Sequence, residues 1–293
     1  MELPTAPTVE NALQVHQHLV RQGTRWIPAY VSKEHVHEEE IDVTDMLDDI
    51  RALVHRRNSR DIVARLDNLL MDKKLPTIVG TCLQAKRDGR RSLVYTPLVA
   101  EIVPKLQSAL EGAGLKVGLF TGDDKAGWAR FTGCDLATGV DLGLPKAERC
   151  DVLIGSDAIS AGVDGLQDVA DVVVFAVLPW TEANYRQVIG RLHRQGQSSK
   201  KVDVVIPLTY ANLDPLVDTA GVEAGHTEHS WCKTRLATIR YKRSLADTAV
   251  DGEMGHGGVI PTEAAALRAL GKWLGRVEAQ LAEARSPTPR EAA

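Results

Sequence analysis

The stretch Asp171-Val172-Val173-Val174-Phe175-Ala176-Val177-Leu178-Pro179 decides the fold. A strand with one wet face alternates apolar and polar side chains, whereas an unbroken β-branched run suits a strand covered on both faces, as in a parallel sheet between helical layers. Working outward, shorter runs of the same kind occur at Ser92 to Tyr95, Leu115 to Phe120, Val152 to Ile154 and Val202 to Ile206, bounded by Gly, Pro, Asp or Ser. Helical patterns lie between them. Thr96 and Pro97 read as an N-cap and first-turn pair opening a helix through Ile102, Val103, Leu106 and Leu110 to Gly112. Pro104 inside it predicts a kink or a shifted start. A second helix opens at Thr181 and runs to about Arg194. This alternation predicts an α/β domain with a largely parallel sheet and right-handed crossovers. Five glycines between Thr121 and Cys150 predict that this connection is mostly loop.

The flanks read differently. The first 90 residues suggest helices with one extended piece: a helix marked by Leu13, Leu19 and Val20, an extended stretch from Trp26 to Val36, and amphipathic helices behind Thr44 and Ser59. A further helix starts at about Pro76 and stops at Gly89. After Tyr210 come a loop rich in Gly and His, a helix from about Ser230 to Val250, and a Gly-rich break. A last helix from Pro261 has its apolar seam at Leu267, Leu270, Leu274, Val277 and Leu281, for packing on its own domain, and a frayed tail follows from Ser286. Three segments follow: a helical joining region over 1–75, an α/β domain over 76–210, and a helical extension over 211–293.

Composition narrows the function classes. With 44% apolar and 25% charged residues the chain is globular rather than disordered. Its longest apolar run is far below the roughly 18 residues needed to cross a bilayer, and the N-terminus lacks a signal pattern, so a cytoplasmic protein is expected, with no membrane partner. Four dispersed cysteines without a CxxC pair fit a reducing compartment, and no metal site is expected. His226-x-x-His229-x-x-Cys232 lacks a fourth ligand and reads as loop and helix start. Trp180, Trp231 and Trp273 read as packing residues rather than base-stacking ones. A net charge of −4 excludes nucleic-acid binding by bulk charge. Local basic stretches exist at Arg186, Arg191, Arg194, Lys200 and Lys201 and at Lys233, Arg235, Arg240, Lys242 and Arg243, while the acidic run Glu38 to Asp49 reads as a solvated helix face with its leading loop. A ratio of 22 Arg to 13 Lys hints at a GC-rich bacterial or phage genome.

The chemistry concentrates in Gln187-Val-Ile-Gly190-Arg191-Leu-His193-Arg194-Gln-Gly196-Gln197. On a helix, Gln187, Arg191 and Arg194 share a face, and two guanidinium forks beside an amide suit a polyphosphate. The segment resembles motif VI of superfamily two helicases, and its Arg-x-Gly-Gln ending is similar to the Swi/Snf-type DNA translocases. Val152-Leu-Ile-Gly-Ser156-Asp157-Ala-Ile-Ser-Ala-Gly162-Val163-Asp164 resembles motif V, and Ser92-Leu-Val-Tyr95-Thr96 resembles motif IV. Leu119-Phe120-Thr121-Gly122-Asp123 sits at the next strand and its turn, and Pro179-Trp180 where that family has a tryptophan. Lys242-Arg243-Ser-Leu245-Ala246-Asp247 resembles the helix after the second motor lobe.

The resemblance implies a RecA-like second lobe that binds ATP and magnesium at a surface shared with a first lobe. Arg191 and Arg194 would be arginine fingers, Gly162, Asp164 and Gln187 would lie at the nucleotide, and Thr96 and Ser156 would face the backbone of duplex DNA. A cap or turn role for each hydroxyl stays open beside that one. The sequence departs from the pattern at Ser160, Ala161 and Asp164, and it contains neither G-x-x-x-x-G-K-[ST] nor a strand ending in Asp-Glu. The phosphate-cradling loop and magnesium acid are therefore missing. The expectation is a split motor whose lobe one is a separate Walker-motif subunit, this chain alone being inactive. The alternative is a non-catalytic nucleic-acid-binding or regulatory module on the same scaffold.

Overall fold

The sheet is built around the valine run. In the computed structural model, which describes residues 33–55, 62–160, 163–194, 197, 199, 201–212, 228–251 and 275, β5 (Val172–Phe175) lies between β2 (Ser92–Tyr95) and β6 (Lys201–Asn212). Val172 to Val174 pair with Ser92 to Val94 on one side and with Asp203 to Val205 on the other, both in parallel. β4 (Val152–Gly155) adds to β2, and β3 (Val117–Phe120) adds to β4, again in parallel. The order is β1-β6-β5-β2-β4-β3, where β1 is Lys33–Asp42. A short β7 (Glu228–His229) pairs antiparallel with the end of β6. This is an α/β arrangement on a largely parallel sheet. Every residue of β2, β4 and β5 is buried, as expected for strands covered on both faces.

The helices are α1 (Leu47–His55), α2 (Ile62–Arg87), α3 (Val99–Gly112), α4 (Gly127–Thr132), α5 (Glu182–Leu192) and α6 (Trp231–Asp251). Several expectations are corrected. α2 runs unbroken through Pro76, where two helices were expected. Proline there removes one intrahelical bond at a cost of about 3 kcal/mol, and burial of Met71 and Ile78 on either side offsets it. The extended piece lies at Lys33–Asp42 rather than ending at Val36, so Glu38 to Asp42 belong to an exposed strand and not to a helix or its loop. Thr96 does not cap α3. Its N–H still donates to Gly155 O at 3.0 Å, which keeps it in line with the sheet, and the helix starts three residues later behind extended Leu98. The glycine-rich connection after β3 contains α4, which lies so close to β3 that a Cβ on Gly127 would meet Leu119 N at 2.2 Å. Gly133, at φ +82°, ends that helix in a left-handed turn. The helices expected at Leu13 to Gly23 and from Pro261, with Trp273, lie outside the described residues, as does the tail from Ser286.

The chain divides into two compact units: residues 1–38, 76–177 and 183–206, and residues 39–75, 178–182 and 207–293. The first contains the segments that resemble motifs IV, V and VI. The second has its own apolar cluster of Val43, Leu47, Ile50, Leu66, Leu70 and Trp231, with Trp180 packed against it. Inside it the Arg235 guanidinium lies 4.1 Å from the Trp180 ring centre and donates to Asp67 at 2.8 Å and to Leu178 O at 2.9 Å. Arg235 and Asp67 are each only 3% exposed. Trp231 donates its indole N–H to the same carboxylate. Among the described residues, no helix is long and apolar enough to cross a membrane.

Candidate functional site

The turn after β4 and the end of α5 meet in the first unit. Ser156 leaves the strand in extended conformation, and its hydroxyl accepts from Ala158 N, capping a 3₁₀ turn over Asp157–Ile159. The chain then passes Ser160 and reaches Val163 and Asp164. Across from it α5 stops at Leu192, because Gln197 folds back and donates its amide to Leu192 O at 3.0 Å and to Ala170 O at 2.9 Å. The helix was expected to reach Arg194. Since it ends two residues earlier, Gln187, Arg191 and Arg194 do not form one helical face.

The two arginines are held differently. Arg191 points inward: Nε donates to Ile159 O at 3.1 Å, one terminal nitrogen to Val163 O at 3.1 Å, and the other to Ser160 O at 2.5 Å. Arg194 pairs with the Asp164 carboxylate at the surface, the two side chains being 39% and 73% exposed. Gln187 is exposed on α5. Gly190 sits inside α5, yet a Cβ there would meet nothing within 4 Å among the described residues. Gly162 lies outside the described residues.

The two hydroxyls expected to face nucleic acid are buried, Thr96 at 0% and Ser156 at 4% exposure. Each holds a local turn: Thr96 Oγ1 accepts from Leu98 N at 3.2 Å, and Ser156 caps its 3₁₀ turn. The structure thus brings Ser156, Asp164, Arg191 and Arg194 together on the two facing segments and leaves Gln187 apart on the outer helix surface.

Several supporting contacts were not foreseen. Tyr95 donates its hydroxyl to Asp157, and its ring packs edge-on against Phe175, which in turn stacks on Tyr185 of α5 at 4.8 Å. One aromatic column therefore joins the motif IV strand, the motif V turn and the motif VI helix. Arg186 donates to Glu34 of β1 at 3.1 Å, and His193 Nδ1 lies 3.1 Å from the same carboxylate. Lys201 pairs with Asp203, whose carboxyl is also met by Arg90 at 2.5 Å and His37 at 3.2 Å. Burial alone would push the Asp203 carboxyl up, but these hydrogen bonds from Arg90, His37 and Lys201 hold it below the usual carboxylate range. A basic stretch in the sequence is thus largely paired within the fold. The glutamate that makes two of these contacts is about 150 residues away in the chain, beyond the reach of local pattern reading.

Beside Asp164 opens a cavity of about 690 Å³, lined by Lys125, Trp128, Asp135, Gln167 and Asp168 among others. One wall is the turn after Thr132, closed by a bridge between Cys134 and Asp141. Backbone and hydroxyl bonds from Thr138, with one from Ala137 N, hold the Asp135 carboxyl below its ordinary range. Burial pushes the Cys82 thiol up to about 12, which disfavours the thiolate. Cys232 is buried against the Thr209 hydroxyl at 3.3 Å; His226 lies outside the described residues.

Residues 73–196 match the helicase conserved C-terminal domain. None of the curated proteins compared matches the chain. Among solved structures, the C-terminal part of the Fun30 ATPase domain aligns at 9% identity and a TM-score of 0.42, covering 78% of this chain and all of that one. The helicase domain of Pyrococcus furiosus Hef aligns at 13% and 0.39, covering 70% of this chain and 63% of that one. The matched segment holds the motif IV strand, the motif V turn and both arginines of motif VI, so the likeness to the helicase conserved C-terminal domain lies in residues 73–196.

Proposed function

We propose that this chain is the second motor lobe of an ATP-dependent DNA helicase or translocase, completed by a separate subunit that carries the Walker motifs. The observation that carries the reading is Arg194: a guanidinium on a turn directly after a helix, paired with one exposed aspartate and able to exchange that carboxylate for a phosphate. Such a group stabilises the charge that spreads over the transferred phosphoryl oxygens. Arg191 belongs to the same motif, and its loop carries Asp164 to the place where Arg194 meets it. Gly190 supports the reading independently. A mid-helix glycine costs about 1 kcal/mol relative to alanine, and no close contact within the described fold requires it, which favours close approach of a group from outside. Magnesium and most of the ATP contacts fall to the partner lobe, and Gln187 and Gly162 flank the nucleotide.

The DNA track in this reading is a backbone track without base readout. Because Thr96 and Ser156 are buried, their role would be to hold the turns whose outer surfaces meet phosphates. The site would lie in the cytoplasm of a bacterial or phage-infected cell.

The test is DNA-stimulated ATP hydrolysis by the chain alone, by a Walker-motif lobe-one subunit alone, and by the mixture. Turnover that requires both supports the reading; turnover by this chain alone overturns it. DNA binding by the pair should weaken steeply with salt as counterions are released, and a salt-independent affinity would remove the phosphate track.

A further inference from the structure

We infer that the loop over residues 133–143, with the cavity it walls, is a docking surface for the Walker-motif subunit, and that it enters an aliphatic pocket of that subunit bordered by lysine or arginine. The inference rests on the proposed motor for the identity of the partner. Among the described residues, three of the four large apolar side chains left exposed fall on this loop: Leu136, Val140 and Leu142, at 40%, 60% and 48%. The fold holds the loop in one shape. Asp135 N donates to Val140 O at 2.9 Å, Leu142 N to Gly133 O at 2.8 Å and Gly139 N to Asp135 O at 2.9 Å. The Asp135 carboxylate accepts from Ala137 N and from both the N–H and the hydroxyl of Thr138. A loop ordered in advance loses little freedom on binding, so covering its apolar side chains is a net gain for a complex.

Charge, size and position select the occupant. From Phe131 to Pro145 the sequence has Asp135 and Asp141 and no lysine or arginine. Leu136 lines the cavity of about 690 Å³, whose charged lining side chains are Asp135, Asp164, Asp168 and Lys125. Such a rim repels the phosphates of nucleic acid and attracts a basic protein surface. Among the described residues, no group of His, Cys, Asp and Glu could hold a metal ion, so these carboxylates are not a cation site. Three side chains cover far less than the roughly 800 Å² per partner of an independent complex. The loop therefore belongs to a larger interface and does not by itself hold two copies of the chain together. The same cavity is lined by Asp164, which pairs with Arg194, so a subunit that brings a nucleotide to Arg194 also borders the cavity. The charges then balance: when Arg194 leaves Asp164 for a phosphate, a basic side chain of the partner takes its place at that carboxylate.

The experiment pairs the full chain with the purified Walker-motif lobe-one subunit, first without nucleotide or DNA. A photo-cross-linker, p-benzoylphenylalanine, placed at Val140 should attach to that subunit, whereas the same probe at Glu111, exposed on α3, should not. Leu136→Ser, Val140→Ser and Leu142→Ser combined should raise the dissociation constant of the pair at least about tenfold with an unchanged urea midpoint, and pairing should weaken as salt is raised. The cross-link decides the matter if the triple variant fails to fold. A pair that forms and hydrolyses ATP with no cross-link from Val140 and with full affinity in the variant overturns the docking surface and leaves the motor reading standing. Salt-independent pairing overturns the basic border. Cross-linking to a second copy of the chain, or to a DNA duplex added in place of the subunit, overturns the inference in favour of that occupant. Loop-dependent pairing without ATP turnover once DNA and nucleotide are added supports the docking surface and overturns the motor reading, and failure of the two subunits to pair overturns both.

Discussion

Two stretches of this chain are equally basic and free of acidic residues in the sequence, Arg186 to Lys201 and Lys233 to Arg243, yet the fold uses them in opposite ways. In the second, Arg235 is buried on Asp67 between two tryptophan rings, and Lys233 pairs with Glu40 at 2.7 Å. In the first, Arg186 is paired with Glu34 and Arg191 donates to a backbone turn, but Arg194 lies at the surface on an exposed aspartate. A run of cations identifies no partner by itself. What separates a structural arginine from an available one is whether its partner is buried and irreplaceable or exposed and exchangeable, and that is settled by tertiary contacts.

The largest effect that would break or sharpen this contrast is catalytic. If Arg194 is the available arginine, Arg194→Ala should reduce ATP turnover of the reconstituted pair by about 10³-fold or more, while the midpoint of urea unfolding stays put, since an exposed pair is worth about 0–1 kcal/mol. Retained turnover would make Arg194 an ordinary surface cation. The opposite profile is expected for Arg235. Asp67→Ala leaves a buried guanidinium without its counter-charge and should cost about 3–5 kcal/mol in urea unfolding. A stability loss below about 1 kcal/mol would mean that the tryptophans, rather than the carboxylate, hold Arg235.

A smaller effect concerns acid. Asp203 is held below the ordinary carboxylate range by Arg90, His37 and Lys201. A group with a depressed folded pKa stabilises fully above its unfolded value, about 3.9, and that contribution fades as pH falls through the folded value. Stability should therefore drop as pH falls below about 4, and Asp203→Asn should flatten the profile there when unfolding is followed at several pH values. An unchanged profile would show that this network contributes no pH dependence.

The sheet was legible in the sequence because doubly buried strands must be continuously apolar, and the runs at Ser92, Val152 and Val172 leave no other solution. The motif order was legible as well, through the residues that mark it. What was not legible depended on partners far along the chain. Thr96 and Pro97 look like a helix start, but pairing of Thr96 N–H with Gly155 O keeps the strand going past that point. Pro76 looks like a break, but burial on both sides carries α2 through it. Arg191 and Arg194 look equivalent at helical spacing, and only the return of Gln197 onto Leu192, which ends the helix, sets them apart.

Gly190 gives the smallest and most discriminating test, because stability and activity should move in opposite directions. Glycine in the interior of α5 carries an entropic penalty that alanine would relieve, worth up to about 1 kcal/mol. A Cβ at this position has room, with nothing within 4 Å among the described residues, so no clash offsets that gain. Gly190→Ala should therefore raise the urea midpoint slightly. If a phosphate or a partner surface packs on this helix next to Arg194, the added methyl occupies the space it needs, and turnover of the reconstituted pair should fall with the fold intact. A variant that is more stable and equally active would show that nothing approaches Gly190. The outward face of α5 would then be ordinary surface, and the case for a phosphate beside it would rest on Arg194 alone.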